Sequence, residues 1–376
     1  MLEITNLVKR YSAPGREARN TQGERVNAVD GITFSVEQGE FFTLLGPSGC
    51  GKTTTLRSIA GLEEPDSGSI TLSGTTLFDG AVRVNVPASR RGLAMVFQSY
   101  AIWPHMTVFG NVAFPLEVMP RRSRPKPGLI REKVSRALDT VGLSDFAGRP
   151  ATALSGGQQQ RLALARALVA DPSVVLLDEP LSNLDAKLRE SMRMELKRLQ
   201  RDMGVTTVYV THDQAEALSF SNRIAVMADG RIVQLGKPRD IYGKPGSQFV
   251  ADFLGGSNFF DATVISQDSS GTRLDTSLGP LWAESSAAHP AGTRVAVCLR
   301  PEQIQISGEP PAGPGPNQFE GKLATAAFLG DRVDFMVSVG DVELRVRAHS
   351  ELTFRRDSTV YLTVDQRQVV LLDRGL

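Results

Sequence analysis

The nine residues Gly46-Pro47-Ser48-Gly49-Cys50-Gly51-Lys52-Thr53-Thr54 constrain this chain more than any other stretch, because they meet the pattern G-x-x-x-x-G-K-[ST] at each specified place. Phe41-Phe42-Thr43-Leu44-Leu45 before them is a short apolar run that reads as a buried strand. Thr54–Ala60 after them reads as a helix closed by Gly61. Between a strand and a helix, such glycines let successive backbone N–H groups face one concavity, where the helix N-terminus adds positive charge. The pattern therefore predicts a phosphate cradle, with Lys52 reaching the β- and γ-phosphates of a nucleotide and the Thr53 hydroxyl holding Mg²⁺. The same helix N-terminus is expected to lower the pKa of the Cys50 thiol and make it reactive.

The rest of the chain bounds what such a cradle can serve. At 376 residues there is room for two or three domains. Forty-two basic against 41 acidic residues leave a net charge of +1, so no overall field recruits nucleic acid or an anionic surface. Two cysteines, one of them inside the loop, suggest no disulfide framework and a reducing compartment, most simply the cytoplasm. No apolar run approaches the roughly 18–20 residues of a membrane span, and Met1–Thr5 lacks the blocks of a signal peptide. If the chain serves a membrane, it does so through a partner.

Along the chain, Leu2–Val8 and Val26–Val36 read as strands around a polar surface loop, Ser12–Arg25. Ser69–Leu72 and Thr75–Phe78 read as an antiparallel pair, and Leu93–Phe97 as a buried strand ending at Gln98. From Ser99 to Ala153 the character becomes helical, which suggests an insertion into the α/β body. Its basic, proline-rich segment Pro120–Gly128 reads as a solvated loop in preference to a phospholipid contact. Ile130–Val141 reads as an amphipathic helix.

Three further stretches carry chemistry. Leu154-Ser155-Gly156-Gly157-Gln158 places a capping-box pair, Ser155 and Gln158, ahead of the Ala/Leu-rich helix Arg161–Ala170. Two glycines in the first turn would let a ligand approach the helix N-terminus, although an ordinary glycine-softened helix start has the same look. Val174–Leu177 is an apolar strand that delivers Asp178-Glu179, a carboxylate pair where an α/β NTPase does its metal and water chemistry. Asp178 would orient Mg²⁺ and Glu179 would act as general base on the attacking water. After a long charged helix, Ala186–Met203, the strand Thr206–Thr211 delivers His212. A lone histidine is usually structural, but one that ends a strand parallel to Asp178-Glu179 is expected to contact the γ-phosphate.

Together these residues resemble the nucleotide-binding subunits of ABC transporters over roughly residues 1–240. The matching motifs are Walker A at Gly46–Thr54, the Q-loop glutamine Gln98, the signature Leu154–Gln158, Walker B at Val174–Glu179, the D-loop Ser182-Asn183-Leu184-Asp185 and the switch histidine His212. The resemblance implies a head-to-tail homodimer that holds each ATP between one copy's Walker A and the other's signature. It also implies an adenine stack on Tyr11, Gln98 and Mg²⁺ linked to the membrane partner, and a groove for the partner's coupling helix around Ser99–Leu116.

Beyond Gly236, a turn-rich connector leads through a short helix, Gln248–Leu254, into short β-type runs: Phe260–Ile265, Arg294–Leu299, Gln303–Ile306, Lys322–Phe328, Val333–Val339, Val342–Ala348 and Val360–Val364. Glu309–Pro316 reads as a linker between two halves, and small β-barrels explain the pattern best. Arg300-Pro301-Glu302 and Phe328-Leu329-Gly330-Asp331 resemble the C-terminal regulatory (TOBE-like) domain of importer ATPases. The expected fold is thus α/β: a P-loop ABC ATPase domain at 1–240, with a mixed sheet and a helical subdomain near 99–160. A connector follows at 241–256 and an all-β, OB-like domain at 257–376.

The resemblance implies an ATP-hydrolysing subunit, peripheral on the cytoplasmic side of the inner membrane. It would act with two permease chains and, indirectly, with an extracytoplasmic solute-binding protein. Gln98–Met106 is similar to polyamine and ferric-iron systems more than to sugar or organophosphonate systems. A soluble ABC ATPase acting on DNA or ribosomes is the rival. It would be expected to show two ATPase modules, long heptads or zinc cysteines, none of which the sequence contains.

Overall fold

The computed structural model describes residues 1–12, 25–269, 271–284 and 289–373. Most of the loop read at Ser12–Arg25 lies outside them. The chain divides into two compact units, Met1–Pro238 and Arg239–Leu376.

The first unit runs β1 (Leu2–Ser12), β2 (Arg25–Val36), β3 (Phe41–Leu45), α1 (Lys52–Ala60), β4 (Ser67–Leu72), β5 (Thr75–Asp79), β6 (Val84–Asn85), β7 (Leu93–Val96), α2 (Val108–Glu117), α3 (Pro127–Thr140), α4 (Gly156–Leu168), β8 (Val174–Asp178), α5 (Ala186–Met203), β9 (Thr206–Thr211), α6 (Gln214–Phe220), β10 (Arg223–Ala228) and β11 (Arg231–Gly236). β1, β2, β4, β5 and β6 form an antiparallel sheet, in the order β2-β1-β4-β5-β6. The six-stranded central sheet is ordered β11-β10-β3-β9-β8-β7. It is parallel except at β10–β11.

In β3, β8 and β9 every residue is buried, as continuous apolar or β-branched runs require when both sheet faces are covered. Alternation along each strand divides those residues between two cores. Phe41, Val175, Leu177 and Tyr209 pack with apolar residues of α2–α6. Phe42, Leu44, Leu176, Val208 and Val210 pack with Leu56 and Ile59 of α1 and with β1 and β2. The strand expected at Leu93–Phe97 is β7. It is the sheet's edge and only half-buried at Leu93, Ala94 and Met95, because it has a neighbour on one side alone.

The second unit begins with α7 (Pro238–Gly243) and α8 (Gln248–Phe253). Its strands are β12 (Asn258–Asp268), β13 (Gly271–Thr276), β14 (Gly279–Ala283), β15 (Arg294–Leu299), β16 (Ile304–Ser307), β17 (Gln318–Phe328), β18 (Arg332–Val339), β19 (Val342–His349), β20 (Thr359–Val364) and β21 (Val370–Asp373). They lie in two antiparallel sheets, β14-β13-β12-β15-β21 and β16-β20-β17-β18-β19, around one apolar cluster.

The segment Glu309–Pro316 does not separate two halves. It joins β16 to β17, which flank β20 within one sheet, while β21 returns to pair with β15 in the other. Arg300 explains the triplet Arg300-Pro301-Glu302. It is buried, stacks on the Tyr242 ring with its guanidinium carbon 4.1 Å from the centroid, and donates to the carbonyls of Ala251 (2.6 Å) and Tyr242 (3.1 Å). The Tyr242 hydroxyl bonds Glu302, and burial together with that carboxylate pushes the phenol up to about 12. The connector is therefore two short helices clamped to the second unit, where the sequence suggested turns before a single helix.

Candidate functional site

Register fixes the site. Leu45 lies opposite Thr211, and Asp178 opposite Val210, so β3, β8 and β9 end at nearly the same level of one sheet edge. The residues that follow each strand, namely Gly46, Glu179 and His212, emerge side by side, where open parallel sheets bind ligands.

The loop from β3 into α1 is shaped by its glycines. Gly49 and Gly51 have φ of +84° and +97°. A Cβ on Gly46 would come within 2.4 Å of the Met227 carbonyl oxygen. Helix α1 starts with no side-chain cap on Gly51 and no acidic residue in its first turn, so its N–H groups are left for an anion. Lys52, only 4% exposed, donates its ammonium to the carbonyl oxygens of Gly46 (2.8 Å) and Pro47 (2.9 Å). A buried cation held by neutral carbonyls is a partner waiting for an anion. The Cys50 sulfur lies 3.9 Å from that ammonium, yet burial pushes the thiol pKa up and Lys52 only opposes it. The expected low thiol pKa is overturned, because desolvation outweighs the nearby charge.

The Thr53 hydroxyl donates to Asp178 Oδ1 at 2.9 Å. Burial raises the Asp178 pKa and this hydrogen bond opposes the rise. A hydroxyl and a carboxylate side by side are hard oxygen donors of the kind Mg²⁺ takes, so the residues fit that ion.

Glu179 has φ of +45°, a conformation that costs a non-glycine residue free energy, and its N–H is held by the Val210 carbonyl at 3.0 Å. Its carboxylate lies 3.2 Å from His212 Nδ1. The Ser182 hydroxyl donates to the Glu179 carbonyl (2.9 Å), Gln98 Nε2 donates to that hydroxyl (3.2 Å), and Asn183 donates back to the Gln98 carbonyl (2.8 Å). The structure thus gathers Lys52, Thr53, Asp178, Glu179, His212 and Gln98 at one edge. Tyr11, near the end of β1, meets the phosphate loop only at its last residue, Thr54. Thr54 and Glu63 lie against its hydroxyl, and burial, helped by Glu63, raises its pKa.

The signature residues stand elsewhere. Ser155 and Gln158 form a full capping box, with the Gln158 side chain accepting from the Ser155 N–H at 2.9 Å, and the helix starts at once. Gly156 is exposed, whereas Gly157 is buried against Leu188, 3.1 Å from where a Cβ would sit. One glycine leaves the helix end open and the other serves packing. Asp185 caps α5 by accepting from the Leu188 N–H at 2.9 Å. No hydrogen bond or ion pair among the described residues joins Leu154–Gln158 to Gly46–Thr54.

One residue escaped the sequence reading. Glu216 is buried in α6 and accepts from the hydroxyls of Tyr209 (2.7 Å) and Thr211 (2.6 Å). It ties down the strand end that carries His212. The spacing Asp213-x-x-Glu216 signals a helix start, and Asp213 does cap α6, but spacing cannot show that the glutamate turns inward.

These features are matched by relatives. The ABC transporter family model covers residues 29–182 and the TOBE domain model residues 297–372. The spermidine/putrescine import ATP-binding protein PotA of Pseudomonas aeruginosa (strain UCBPP-PA14) is 46% identical, over 91% of this chain and 89% of that protein. The protein of the same name from Ruegeria pomeroyi is 47% identical, over 84% and 82%. Among solved structures, the dimeric ATP-binding cassette MJ0796 bound to ADP and Pi is 32% identical, covers 64% of this chain and 99% of its own, and superposes with a TM-score of 0.52. The chain belongs to the ABC transporter family, as an ATP-hydrolysing importer subunit that carries a TOBE domain.

Proposed function

We propose that this chain powers the uptake of a polyamine such as spermidine or putrescine, the solutes named for its relatives. It would sit on the cytoplasmic face of two permease chains, with an extracytoplasmic binding protein delivering solute. The observation that carries the catalytic part is the convergence of the Lys52 loop, Asp178, Glu179 and His212 on one sheet edge, with Glu179 already paired to His212.

Lys52 turns from its loop carbonyls to the β- and γ-phosphates of ATP, and Tyr11 stacks on the base. Thr53, Asp178 and Gln98 would hold a Mg²⁺ ion, which would supply positive charge against the phosphate oxygens. Glu179, oriented by His212 Nδ1, takes the proton of the water whose oxygen bonds the γ-phosphorus as the bond to the leaving ADP oxygen breaks, while the other ring nitrogen faces the γ-phosphate. Because Leu154–Gln158 makes no bond to the phosphate loop of its own chain, its open helix start serves the ATP of a second copy, and Asp185 lies in that seam. We place the ATPase domain at 1–240 and the regulatory domain at 257–376. ATP favours the closed pair, which switches the permeases, and hydrolysis reopens it.

Replacing Glu179 tests both halves. Purified Glu179→Gln should bind ATP as the native chain does, with turnover reduced at least about 100-fold. A strain deprived of this chain should lose spermidine or putrescine uptake, and Glu179→Gln should not restore it. Near-normal hydrolysis would remove Glu179 as the base, and undiminished polyamine uptake would remove the solute.

A further inference from the structure

The end of the α2–α3 hairpin carries charge that the fold does not use. Between Val118 and Arg131 stand Arg121, Arg122, Arg124, Lys126 and Arg131, with no carboxylate among them, in a chain whose net charge is only +1. All five are exposed. The turn is built: the Ser123 and Arg124 N–H groups bond the Pro120 carbonyl at 2.8 and 2.9 Å, and the Arg124 guanidinium bonds the Met119 carbonyl at 3.1 and 3.2 Å. Arg121, Arg122, Lys126 and Arg131 make no ion pair with any described residue. The next cations along α3 do: Lys133 pairs with Asp171 and Arg136 with Glu132. At the feet of the hairpin Val118 and Leu129 are 57% and 45% exposed. Unpaired cations on a hydrogen-bonded turn, flanked by bare aliphatic side chains, are the composition of a surface that meets lipid head groups and the apolar layer beneath them.

We propose that this hairpin end is a contact surface for anionic phospholipid, the cations pairing with lipid phosphates while Val118 and Leu129 enter the interface. The exposed, unpaired charges agree with the solvated loop expected from sequence, and the proposal gives that loop a partner. The proposal rests on the importer reading for its place beside a membrane, and its test is separable from that reading. The full chain is floated with vesicles of phosphatidylcholine alone or with about 30% phosphatidylglycerol. It should float with the anionic vesicles only, and less as salt rises. The variant Arg121→Glu/Arg122→Glu/Lys126→Glu should lose flotation at least about tenfold while hydrolysing ATP at the native rate. Equal binding to neutral vesicles, undiminished binding of the variant, or no flotation of the native chain would overturn the surface. Flotation as expected from a chain that hydrolyses no ATP would leave the surface standing and sink the functional reading instead.

Discussion

A methyl group on Gly51 would stand 2.1 Å from the Ala28 carbonyl oxygen, at a φ of +97° that an L side chain rarely adopts. Two penalties coincide there, and the clashing atom is backbone, which cannot swing aside. Gly49 has a similar φ but open space where its Cβ would be. Gly51→Ala should therefore cost on the order of 2–4 kcal/mol and abolish ATP binding, whereas Gly49→Ala should cost about 1 kcal/mol and keep most of it. Thermal melts with and without ATP read both; equal effects would show that the loop rearranges. Cys50 follows the same logic of burial. At 4% exposure, and with a pKa that burial raises, its thiol should react with iodoacetamide more slowly than free glutathione at neutral pH, and faster as pH rises. Labelling as fast as glutathione would mean that the loop opens readily.

Among the elements, β9 and α6 form one device. Glu216 pins Thr211, the last residue of β9, so its loss should reach catalysis by displacing His212. Glu216→Ala strands two buried hydroxyls and should cost about 2–4 kcal/mol. It should also lower kcat, and it should lower kcat no further in a His212→Ala background; additive losses would separate the two residues. Burial raises the Glu216 pKa, so the folded chain holds this proton more tightly than the unfolded one. Its contribution to stability is therefore greatest at low pH and declines as pH rises from the ordinary glutamate range through the raised value. Glu216→Gln should flatten that slope in a series of melts.

What was legible followed from local pattern. The helix Ala186–Met203 and the strand Thr206–Thr211 were readable to the residue, because an Asp185 cap, an αL Gly204 and a run of β-branched and aromatic residues mark their ends. Strands β10 and β11 went unread, and so did β13, β14 and β21: β11, β14 and β21 are sheet edges with a neighbour on one side only, and β10 and β21 are placed by β3 and β15, far back in the chain. The Glu309–Pro316 error has the same origin, since a proline-rich stretch looks alike whether it links two domains or two strands of one sheet. At the site, the residues were legible as motifs. The His212–Glu179 pairing was not, because it arises from register between strands, and neither was the role of Glu216, because spacing does not show that a helix side chain turns inward onto the preceding strand.

At the scale of the whole molecule, one chain holds a complete phosphate cradle and an open helix start that makes no bond to it. Either the signature swings onto its own cradle or a second copy supplies it, and the two cases differ in a mixing experiment. Ser155→Arg blocks the helix start, and Glu179→Gln removes the base; each alone should be inactive. Mixed before ATP is added, a paired arrangement places the intact Glu179 site of the first variant against the intact Ser155 of the second. Half of the random pairs then carry one working site of two, giving up to about a quarter of native activity. If the signature serves its own chain, every site in the mixture lacks one part and activity stays at the level of the separate variants. The first result also requires activity to fall when the chain is diluted below its pairing concentration, because a seam built from two copies cannot outlast their separation.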